Sequence, residues 1–303
     1  MPDDTSQPLV SVLLPACNEE AAIGAVIDEV HDTLTKAGVP FEIIVVDDAS
    51  DDRTAEFAAK RDVVLVRRRE RGGSGAARKT GLLHTTGEVV VMLDADGSYD
   101  ARDIPSLLAR MDGYDQVNGA RTSEQGTLKP LRVPAKFLIR KLASYLTGRA
   151  IPDLNTGLKV FRRKPMMRYL HLIPDGFSCV TTMTLAFMTN GHPVTWVPVN
   201  YRPRIGESKF RPIRDTSNYL QAVVRIVMYF KPLKIFGPVG LGLLALGTFK
   251  TLVDFFVLVG RMQASDVVIL MTGVLVLALG LLADLVVVHG RAIAHAADPD
   301  RDR

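Results

Sequence analysis

Two hydrophobic patterns alternate along the first hundred residues. Short apolar runs rich in β-branched residues, at 9–15 and 41–46, are typical of strands that are buried on both faces. Between these two runs, apolar residues recur every three or four positions, which predicts a helix over 18–36. Two shorter helices, which end near Ala59 and His84, are predicted after the second run. This alternation predicts a mostly parallel sheet with helices on both faces. Further strands are predicted at 63–66, 88–93, 114–119 and 195–201.

Small or acidic residues stand where the predicted strands end. They are Pro15-Ala16-Cys17, Asp47-Asp48 and Asp94-Ala95-Asp96. In open parallel sheets, ligands bind beyond the carboxyl ends of the strands. An acidic rim there would repel itself, so we expect a cation or basic side chains at the same edge.

The C-terminal part is apolar over two long stretches. Residues 235–260 and 267–289 each exceed the roughly 20 apolar residues that cross a bilayer, and the linker between them allows only a tight turn. Lys231, Lys234 and Arg291 flank one side, which the positive-inside rule predicts to be cytoplasmic. The alternative is a buried helical hairpin in a soluble core. Within the spans lie Lys250, Asp254 and Asp284, and the first two can pair on one helix face.

Composition restricts the class of protein further. The net charge of +4 is a mild basic excess, and the run Arg67-Arg68-Arg69 lacks the interleaved aromatic residues that would favour nucleic-acid binding. Two cysteines give no disulfide framework, which favours a reducing compartment. The polar N-terminus does not have the pattern of a signal peptide. We therefore predict a cytoplasmic globular part, held at the cell membrane by two spans.

These patterns predict five segments. Residues 1–8 form a flexible N-terminus, 9–214 a catalytic α/β domain and 215–234 a juxtamembrane amphipathic helix. Residues 235–289 form the transmembrane hairpin and 290–303 a disordered cytoplasmic tail. We expect the amphipathic helix to lie at the membrane interface.

The D-A-D sequence at Asp94–Asp96 carries the strongest chemical signal. Two carboxylates two positions apart at a strand end can bind one hard cation, Mg²⁺ or Mn²⁺, which keeps coordination sites for phosphate oxygens. Such a metal would stabilise a departing nucleoside diphosphate. The glycines at 72, 73 and 75 precede a predicted helix, and either cradle a phosphate or allow close packing.

Six motifs occur in one order along the chain. They are V-S-V-L-L-P-A-C-N-E-E (10–20), V-V-D-D-A-S-D-D-R-T (45–54), R-G-G-S-G-A-A-R-K-T-G (71–81), L-D-A-D-G-S (93–98), N-T-G-L-K-V-F-R-R (155–163) and R-I-G-E-S-K (204–209). With them the chain resembles family 2 inverting glycosyltransferases of the GT-A fold. Within that family it is most similar to polyprenyl-phosphate glycosyltransferases, the group of the dolichyl-phosphate mannose synthases. The resemblance covers about residues 10–214.

The resemblance implies a role for particular positions. Pro15, Cys17 and Glu19 fall where the family holds the nucleobase and ribose, and Val46 and Asp48 where the base edge is read. Asp94, Ala95 and Asp96 fall at the metal and diphosphate site. Phosphate-binding positions are implied for Arg121, Arg204 and Lys209. The last loop has a different spacing here, which leaves Arg202 as the alternative to Arg204.

The resemblance also implies the acceptor. A lipid phosphate has a second pKa of about 6 and needs no general base, so cationic side chains are expected to bind it. The candidates are Arg121, Arg132, Lys136 and Arg140. The expected donor is GDP-mannose or a UDP-sugar, and the membrane spans are candidates for homo-oligomer contacts.

Three alternatives stay open. A hydroxyl acceptor would need a carboxylate base, for which Asp153, Asp175 and Asp215 are available. A non-catalytic membrane scaffold that binds a nucleotide-sugar is the second alternative. A soluble NAD-binding domain is the third.

Overall fold

The computed structural model describes residues 9–297 except 123–139, 142, 146, 177, 206–220, 222–223, 226–227, 230 and 259; for 290–297 it describes the backbone alone. The chain divides into two compact units, Met1–Val223 and Val224–Arg303, which are treated separately. The division falls after Val223, within the predicted juxtamembrane segment over 215–234.

The first unit contains one seven-stranded sheet. Its strands are β1 (Val10–Ala16), β2 (Phe41–Asp47), β3 (Val64–Arg67), β4 (Val89–Met92), β5 (Gln116–Arg121), β6 (Lys159–Arg162) and β7 (Val194–Val199). They lie in the order β3-β2-β1-β4-β6-β5-β7. Only β6 runs antiparallel to its neighbours, so the predicted mostly parallel sheet is confirmed.

Six α-helices accompany the sheet within the described part of this unit. They are α1 (Ile23–Lys36), α2 (Thr54–Ala59), α3 (Ser74–His84), α4 (Ile104–Ala109), α5 (Arg163–Arg168) and α6 (Cys179–Thr189). The first helix starts at Ile23, later than predicted, because residues 18–20 are bound to the loop after β2. The predicted basic helix over 134–146 lies mostly outside the described residues, although 140–141, 143–145 and 147 are helical.

The hydrophobic core lies on both faces of the sheet. Alternate residues of β1, β4 and β6 pack against α1 and α4 on one face, including Val12, Val91 and Val160. The other face of the sheet meets α3 and α6. Every residue of α6 is buried, including its four threonines. Because that helix is closed to solvent on all sides, its polar side chains must find partners inside the protein.

The second unit is a helical hairpin. It consists of α7 (Leu233–Val253), a π-helical turn (Asp254–Leu258) and α8 (Ala264–Ala297). Two segments are long and apolar enough to cross a membrane, Leu233–Leu258 and Ala264–His289. Only 11% and 17% of an apolar 18-residue stretch in each of them is buried. Such exposure does not support the alternative of a core hairpin in a soluble protein.

The end of α8 corrects one prediction. The helix continues to Ala297, so residues 290–297, predicted to be disordered, are helical. Residues 298–303 lie outside the described part, as does most of the predicted juxtamembrane helix over 215–234.

Glycines bring the two helices of the hairpin together. A β-carbon on Gly240 would lie 2.6 Å from Leu277, and one on Gly273 would lie 2.9 Å from Leu244. Leu270 packs against Gly247 in the same way. Side chains of each helix therefore fill positions that only glycine leaves open on the other, as small residues do in membrane helix pairs.

A charged cluster joins the ends of the two spans. Lys250 Nζ donates to Asp254 Oδ2 at 2.5 Å, which confirms the predicted pair. It also donates to Asp266 Oδ1 at 2.6 Å and Ser265 Oγ at 2.9 Å on α8. Both carboxylates are buried, at 5% and 0% exposure. The lysine thus has counter-charges on both helices.

Candidate active site

The loops after β1 and β2 are tied together at the carboxyl edge of the sheet. Asn18 has a φ of 51°, its N–H donates to Ser50 Oγ at 2.9 Å, and its Oδ1 accepts from the Asp51 N–H at 2.9 Å. The Glu19 N–H donates to Thr54 Oγ1 at 2.8 Å. These bonds hold Cys17 and Glu19, both half-buried, at the rim of the sheet, where the nucleobase site was predicted.

The carboxylate of Asp48 is enclosed by hydrogen-bond donors of the protein. Its Oδ1 accepts from Arg68 Nε at 2.8 Å and from the Gly72 N–H at 2.9 Å, and its Oδ2 accepts from the Gly73 N–H at 2.7 Å. The side chain is almost fully buried, and that of Val46 is fully buried as well. Asp48 therefore anchors the glycine loop, while base reading by Val46 and Asp48 stays a prediction.

The glycine loop packs against the chain at Pro174 and Asp175. The N–H groups of Gly75 and Ala76, at the start of α3, both donate to the Asp175 carbonyl, at 2.7 and 3.3 Å. A β-carbon on Gly75 would lie 1.9 Å from the Pro174 carbonyl oxygen. Of the two interpretations of this loop, the structure therefore favours close packing over a phosphate cradle.

A buried arginine lies behind Asp94. Arg78 on α3 is 4% exposed, and its guanidinium pairs with Asp94 Oδ1 and bonds Ser74. Desolvation by the surrounding protein raises the pKa of the Asp94 carboxyl; the charge of Asp96 adds to this rise, although Arg78 opposes it. Arg78 is thus the largest of the charges that favour the ionised form of Asp94, and desolvation outweighs it.

Gly157 leaves the space that Asp94 occupies. A β-carbon at this position would lie 2.0 Å from Asp94 Oδ2. The Gly157 N–H donates to the buried Tyr99 hydroxyl at 2.7 Å, which fixes the N-T-G segment beside β4. The absence of a side chain at Gly157 is thus a requirement for the position of the carboxylate.

Asp96 meets the loop that carries the predicted phosphate-binding residues. Its Oδ1 accepts from the Ser98 N–H and hydroxyl, and its Oδ2 lies 3.1 Å from Arg204 Nη2. The same nitrogen lies 3.4 Å from Glu19 Oε1. The Ile205 N–H donates to the Asp96 carbonyl at 3.0 Å.

The alternative arginine of this loop points elsewhere. Arg202 pairs with Glu29 on α1 at 2.9 Å and with Asp100 at 2.6 Å. Of the two candidates, the structure therefore brings Arg204 to the D-A-D motif. Lys209 lies outside the described residues.

Arg121, at the end of β5, makes a bidentate ion pair with Asp153. Its Nε and Nη2 donate to the two carboxylate oxygens at 2.7 and 2.9 Å, and both side chains are mostly buried. The guanidinium also stacks on Tyr201, 5.3 Å from the ring centroid. Burial alone would raise the pKa of the Asp153 carboxyl, but the hydrogen bonds and charge of Arg121 hold it below its usual value.

Arg140 reaches the same segment of chain. Its Nη1 donates to the Pro152 carbonyl at 3.3 Å, next to Asp153. Two of the four predicted acceptor-binding residues, Arg121 and Arg140, are therefore attached to neighbouring residues. The other two, Arg132 and Lys136, lie outside the described residues.

The donor set at the D-A-D motif fits a divalent cation. Asp94 and Asp96 are adjacent acids whose mutual repulsion contributes to a raised pKa at Asp94, and a bound cation would relieve that repulsion. Within the described residues, no cluster of three or more His, Cys, Asp or Glu side chains could complete a metal site. Two carboxylates would suffice for Mg²⁺ or Mn²⁺, which take their remaining ligands from water and phosphate oxygens.

Motif reading did not single out Arg78, Gly157, Tyr99 or Lys159. Arg78 and Gly157 lie within motifs that the sequence analysis quoted, but their contact with Asp94 joins positions far apart in the chain. In the sequence, these two residues are visible only as a charged residue on the apolar face of α3 and a glycine near a strand. Neither feature indicates which residue it contacts in the fold.

A mostly parallel α/β sheet, with a D-A-D motif and arginines at its carboxyl edge, defines a GT-A-type glycosyltransferase. The sequence pattern of glycosyl transferase family 2 matches residues 11–170, and that of the GtrB C-terminal hairpin matches residues 231–287. The chain belongs to glycosyl transferase family 2, and its C-terminal helices make it a membrane protein with two spans.

Two curated relatives cover most of the chain. The dolichyl-phosphate hexose transferase of Haloferax volcanii is 31% identical over 72% of this chain and 94% of its own length. The undecaprenyl-phosphate 4-deoxy-4-formamido-L-arabinose transferase of Enterobacter sp. strain 638 is 29% identical over 89% of this chain and 84% of its own length.

Solved structures confirm the fold. Glucosyl-3-phosphoglycerate synthase from Mycobacterium tuberculosis, in complex with Mn²⁺, UDP-glucose and phosphoglyceric acid, matches with a TM-score of 0.57. The identity is 21%, over 73% of this chain and 80% of that one. Mannosyl-3-phosphoglycerate synthase from Rubrobacter xylanophilus matches with a TM-score of 0.55 at 24% identity, over 73% and 72% of the two chains.

Proposed function

We propose that this protein transfers a sugar from a nucleoside-diphosphate sugar to a polyprenyl phosphate, with inversion at the anomeric carbon. One observation carries the proposal. The D-A-D edge, with Arg78 and Arg204 on its two acids, occurs in a chain whose C-terminal hairpin matches that of the GtrB group. The named functions of the two curated relatives, both polyprenyl-phosphate sugar transferases, support the same reaction.

The donor would bind along the carboxyl edge of β1 and β4. Pro15, Cys17 and Glu19 would line the nucleoside side, and Asp94 and Asp96 the diphosphate side. A Mg²⁺ or Mn²⁺ ion held by Asp94 and Asp96 would stabilise the charge of the departing nucleoside diphosphate. Arg204, now shared between Glu19 and Asp96, would turn one of its donors to a phosphate oxygen. The solved relative with Mn²⁺ and UDP-glucose supports the metal choice only by analogy of fold.

The acceptor phosphate would bind beside Arg121 and Arg140. Two anionic groups must approach one anomeric carbon, so positive charge is the main requirement. Asp153 holds the Arg121 guanidinium in a fixed plane, and Tyr201 supports it from one face. A fixed guanidinium binds a phosphate with less loss of side-chain entropy than a mobile one.

The state of Asp153 favours a phosphate acceptor over a hydroxyl acceptor. A hydroxyl needs a general base with a pKa close to the working pH. Asp153, the candidate base closest to Arg121, has its pKa held below the usual value by that residue. Such a carboxylate is a weak base, whereas a lipid phosphate is already ionised at neutral pH.

The active site would face the cytoplasm. Lys231 and Lys234 precede the first span, and the positive-inside rule places such residues on the cytoplasmic side. Anchoring would raise the effective concentration of the lipid acceptor at the site.

A transfer assay tests the proposal. The full-length protein in detergent is supplied with polyprenyl phosphate, Mg²⁺ or Mn²⁺ and a panel of GDP- and UDP-sugars. We expect lipid-linked product from one donor, and a loss of about a hundred- to a thousandfold in Asp96→Ala. Asp28→Ala is the matched control, because Asp28 pairs with Arg61 on the surface.

Two further outcomes decide between the alternatives. Chelation should abolish transfer, and added Mn²⁺ or Mg²⁺ should restore it. If GDP or UDP binds but no donor gives lipid product, the acceptor is not a polyprenyl phosphate, and a glycan acceptor or a scaffold takes its place.

A further inference from the structure

A lysine lies fully buried behind the D-A-D strand. Lys159 has 0% exposure. On β6 it stands opposite Met92 of β4 on one side and Asn118 of β5 on the other. Asp94 follows Met92 by two residues, so its α-carbon lies roughly 8 Å from that of Lys159, given the strand rise and spacing. The lysine thus occupies the strand between those that carry Asp94 and Arg121.

The hydrogen-bond partners of Lys159 are neutral. Its Nζ donates to Asn118 Oδ1 at 2.9 Å and to Thr184 Oγ1 of α6 at 2.7 Å. Gln116 Nε2 donates to the same two oxygens, at 2.7 and 3.0 Å. Within the described residues, no carboxylate forms an ion pair with the ammonium. A buried charge without a contacting counter-ion is costly, and proteins keep such groups mostly where they serve a function.

The hydrogen-bond network around Lys159 does not satisfy every buried polar atom. Within the described part of the chain, Gln116 Oε1 and Asn118 Nδ2 are buried without a hydrogen-bond partner. A charged ammonium has three donors, and here it meets two acceptors. A neutral amine has a lone pair, to which Asn118 could donate after its amide rotates. The same side chains can therefore accommodate either protonation state.

The surroundings place the charge change near neutral pH. The pKa of Lys159 is lowered to about 7, and burial is the main cause. Asp153 and Cys179 oppose this change, whereas the charges of Arg78 on α3 and Arg121 on β5 contribute to it. Arg78, in contrast, is a permanent cation in direct contact with Asp94.

We propose that Lys159 is a positioning residue of the transfer reaction, a second buried cation that acts with Arg78 to strengthen binding of the donor diphosphate from behind strand β4. The inference rests on the proposed function, since it assumes that a diphosphate binds at Asp94 and Asp96. The protonated lysine adds positive potential at that edge, and the neutral amine does not. The diphosphate would lie beyond Asp94, roughly 12 to 17 Å from the ammonium. At that distance, in a medium of effective dielectric constant near 20, one unit charge changes a dissociation constant by roughly five- to tenfold.

The test compares variants at two pH values. Dissociation constants of GDP and UDP, with Mg²⁺ present, are measured by calorimetry on the full-length protein in detergent at pH 6.0 and pH 8.5. Lys159→Met removes the charge and keeps the side-chain length. We expect binding roughly fivefold weaker than wild type at pH 6.0 and equal to wild type at pH 8.5. Ionisation of the nucleotide cancels, because variant and wild type are compared at the same pH.

Two variants complete the design. Lys159→Arg carries a permanent charge, so it should match wild type at pH 6.0 and bind more tightly than wild type at pH 8.5. Lys164→Met removes an exposed lysine of α5 and should bind like wild type at both values. If Lys159→Met does not fold, Lys159→Gln, which keeps a donor towards Asn118, replaces it.

The outcomes separate the hypotheses. An equal loss at both pH values in Lys159→Met, with no gain in Lys159→Arg at pH 8.5, would overturn the proposal and leave a structural role. Absence of nucleotide binding in the wild-type protein would instead contradict the proposed function.

Discussion

Two acidic strand ends lie on the same edge of the sheet and have opposite surroundings. Asp48 follows β2 and accepts hydrogen bonds from Arg68, Gly72 and Gly73. Asp94 and Asp96 follow β4, and the pKa of Asp94 is raised although Arg78 is in contact with it. The first carboxylate has its donors supplied by the fold. The second pair contacts two arginines, Arg78 and Arg204, but desolvation and the neighbouring acid still raise the pKa of Asp94.

This difference separates a structural acid from a ligand-binding one. A buried carboxylate that accepts several protein hydrogen bonds is stabilised as an anion and rigidifies its neighbours. A carboxylate beside another one gains when a cation arrives. We therefore expect Asp48 to contribute to stability and Asp94 and Asp96 to the chemistry, and each expectation can be tested separately.

Replacement of Asp94 should give the largest effect on activity. In Asp94→Asn we expect transfer to fall by about a thousandfold, since the proposed metal loses one of two protein ligands. The melting temperature should fall less than in Asp48→Asn, because relief of the repulsion between Asp94 and Asp96 partly offsets the loss of the Arg78 ion pair. Thermal unfolding and the transfer assay are measured together. A large loss of stability would show that Asp94 is structural and remove the contrast with Asp48.

Replacement of Asp48 should mainly affect stability. Asp48→Asn leaves Arg68 and two glycine N–H groups with a poorer acceptor, so the free energy of unfolding should fall by about 3 kcal/mol. Chemical denaturation measures the change. If stability is unchanged while nucleotide binding is lost, Asp48 reads the base directly, as the family resemblance implies, and the comparison fails.

A methyl group at Gly157 should displace the Asp94 side chain after β4 without changing its charge. Gly157→Ala places a β-carbon about 2.0 Å from Asp94 Oδ2, which forces the carboxylate to move. We expect kcat to fall by about ten- to a hundredfold, because small displacements of reacting groups cost that much. Gly176→Ala is the control, since nothing lies within 4 Å of a β-carbon there. Equal activity of both variants would show that Asp94 tolerates displacement.

The two arginines of the loop after β7 should differ modestly. Arg204→Lys should raise the KM for the donor by about tenfold, since lysine cannot keep the bidentate geometry of the guanidinium at a phosphate. Arg202→Lys, which changes a contact with Glu29 and Asp100, should leave KM within about twofold and cost at most about 1 kcal/mol of stability. Steady-state kinetics at saturating acceptor measure both. A larger effect at Arg202 would reverse the assignment.

Most of the fold was accessible from the sequence. The apolar runs gave six of the seven strands, since burial on both faces leaves a strong local pattern. The missed strand, β6, has only four residues and includes the buried Lys159, so its pattern resembles a surface turn. Helix α6 was also missed, because its threonines mask an element that is buried all round.

The candidate site was accessible only in outline. Motifs gave the positions of Asp94, Asp96 and Arg204, because their type and spacing are local properties. The partners were not accessible: Arg78 reaches Asp94, and Arg204 joins Glu19 to Asp96, across long sequence separations. Such contacts depend on how strands are ordered in the sheet. The choice between Arg202 and Arg204 likewise needed the contacts of the folded loop with Glu29, Asp100 and Asp96.

The lysine at the end of the first span has a consequence for how the protein is made. Lys250 finds one counter-charge in its own helix and a second, Asp266, only in the following one. A first helix that left the translocon alone would expose an incompletely neutralised ammonium to the lipid. Its glycine positions would also lack the side chains of the second helix that fill them in the hairpin. Both penalties disappear when the second helix arrives. We therefore expect the two spans to integrate stably into the bilayer only as a pair.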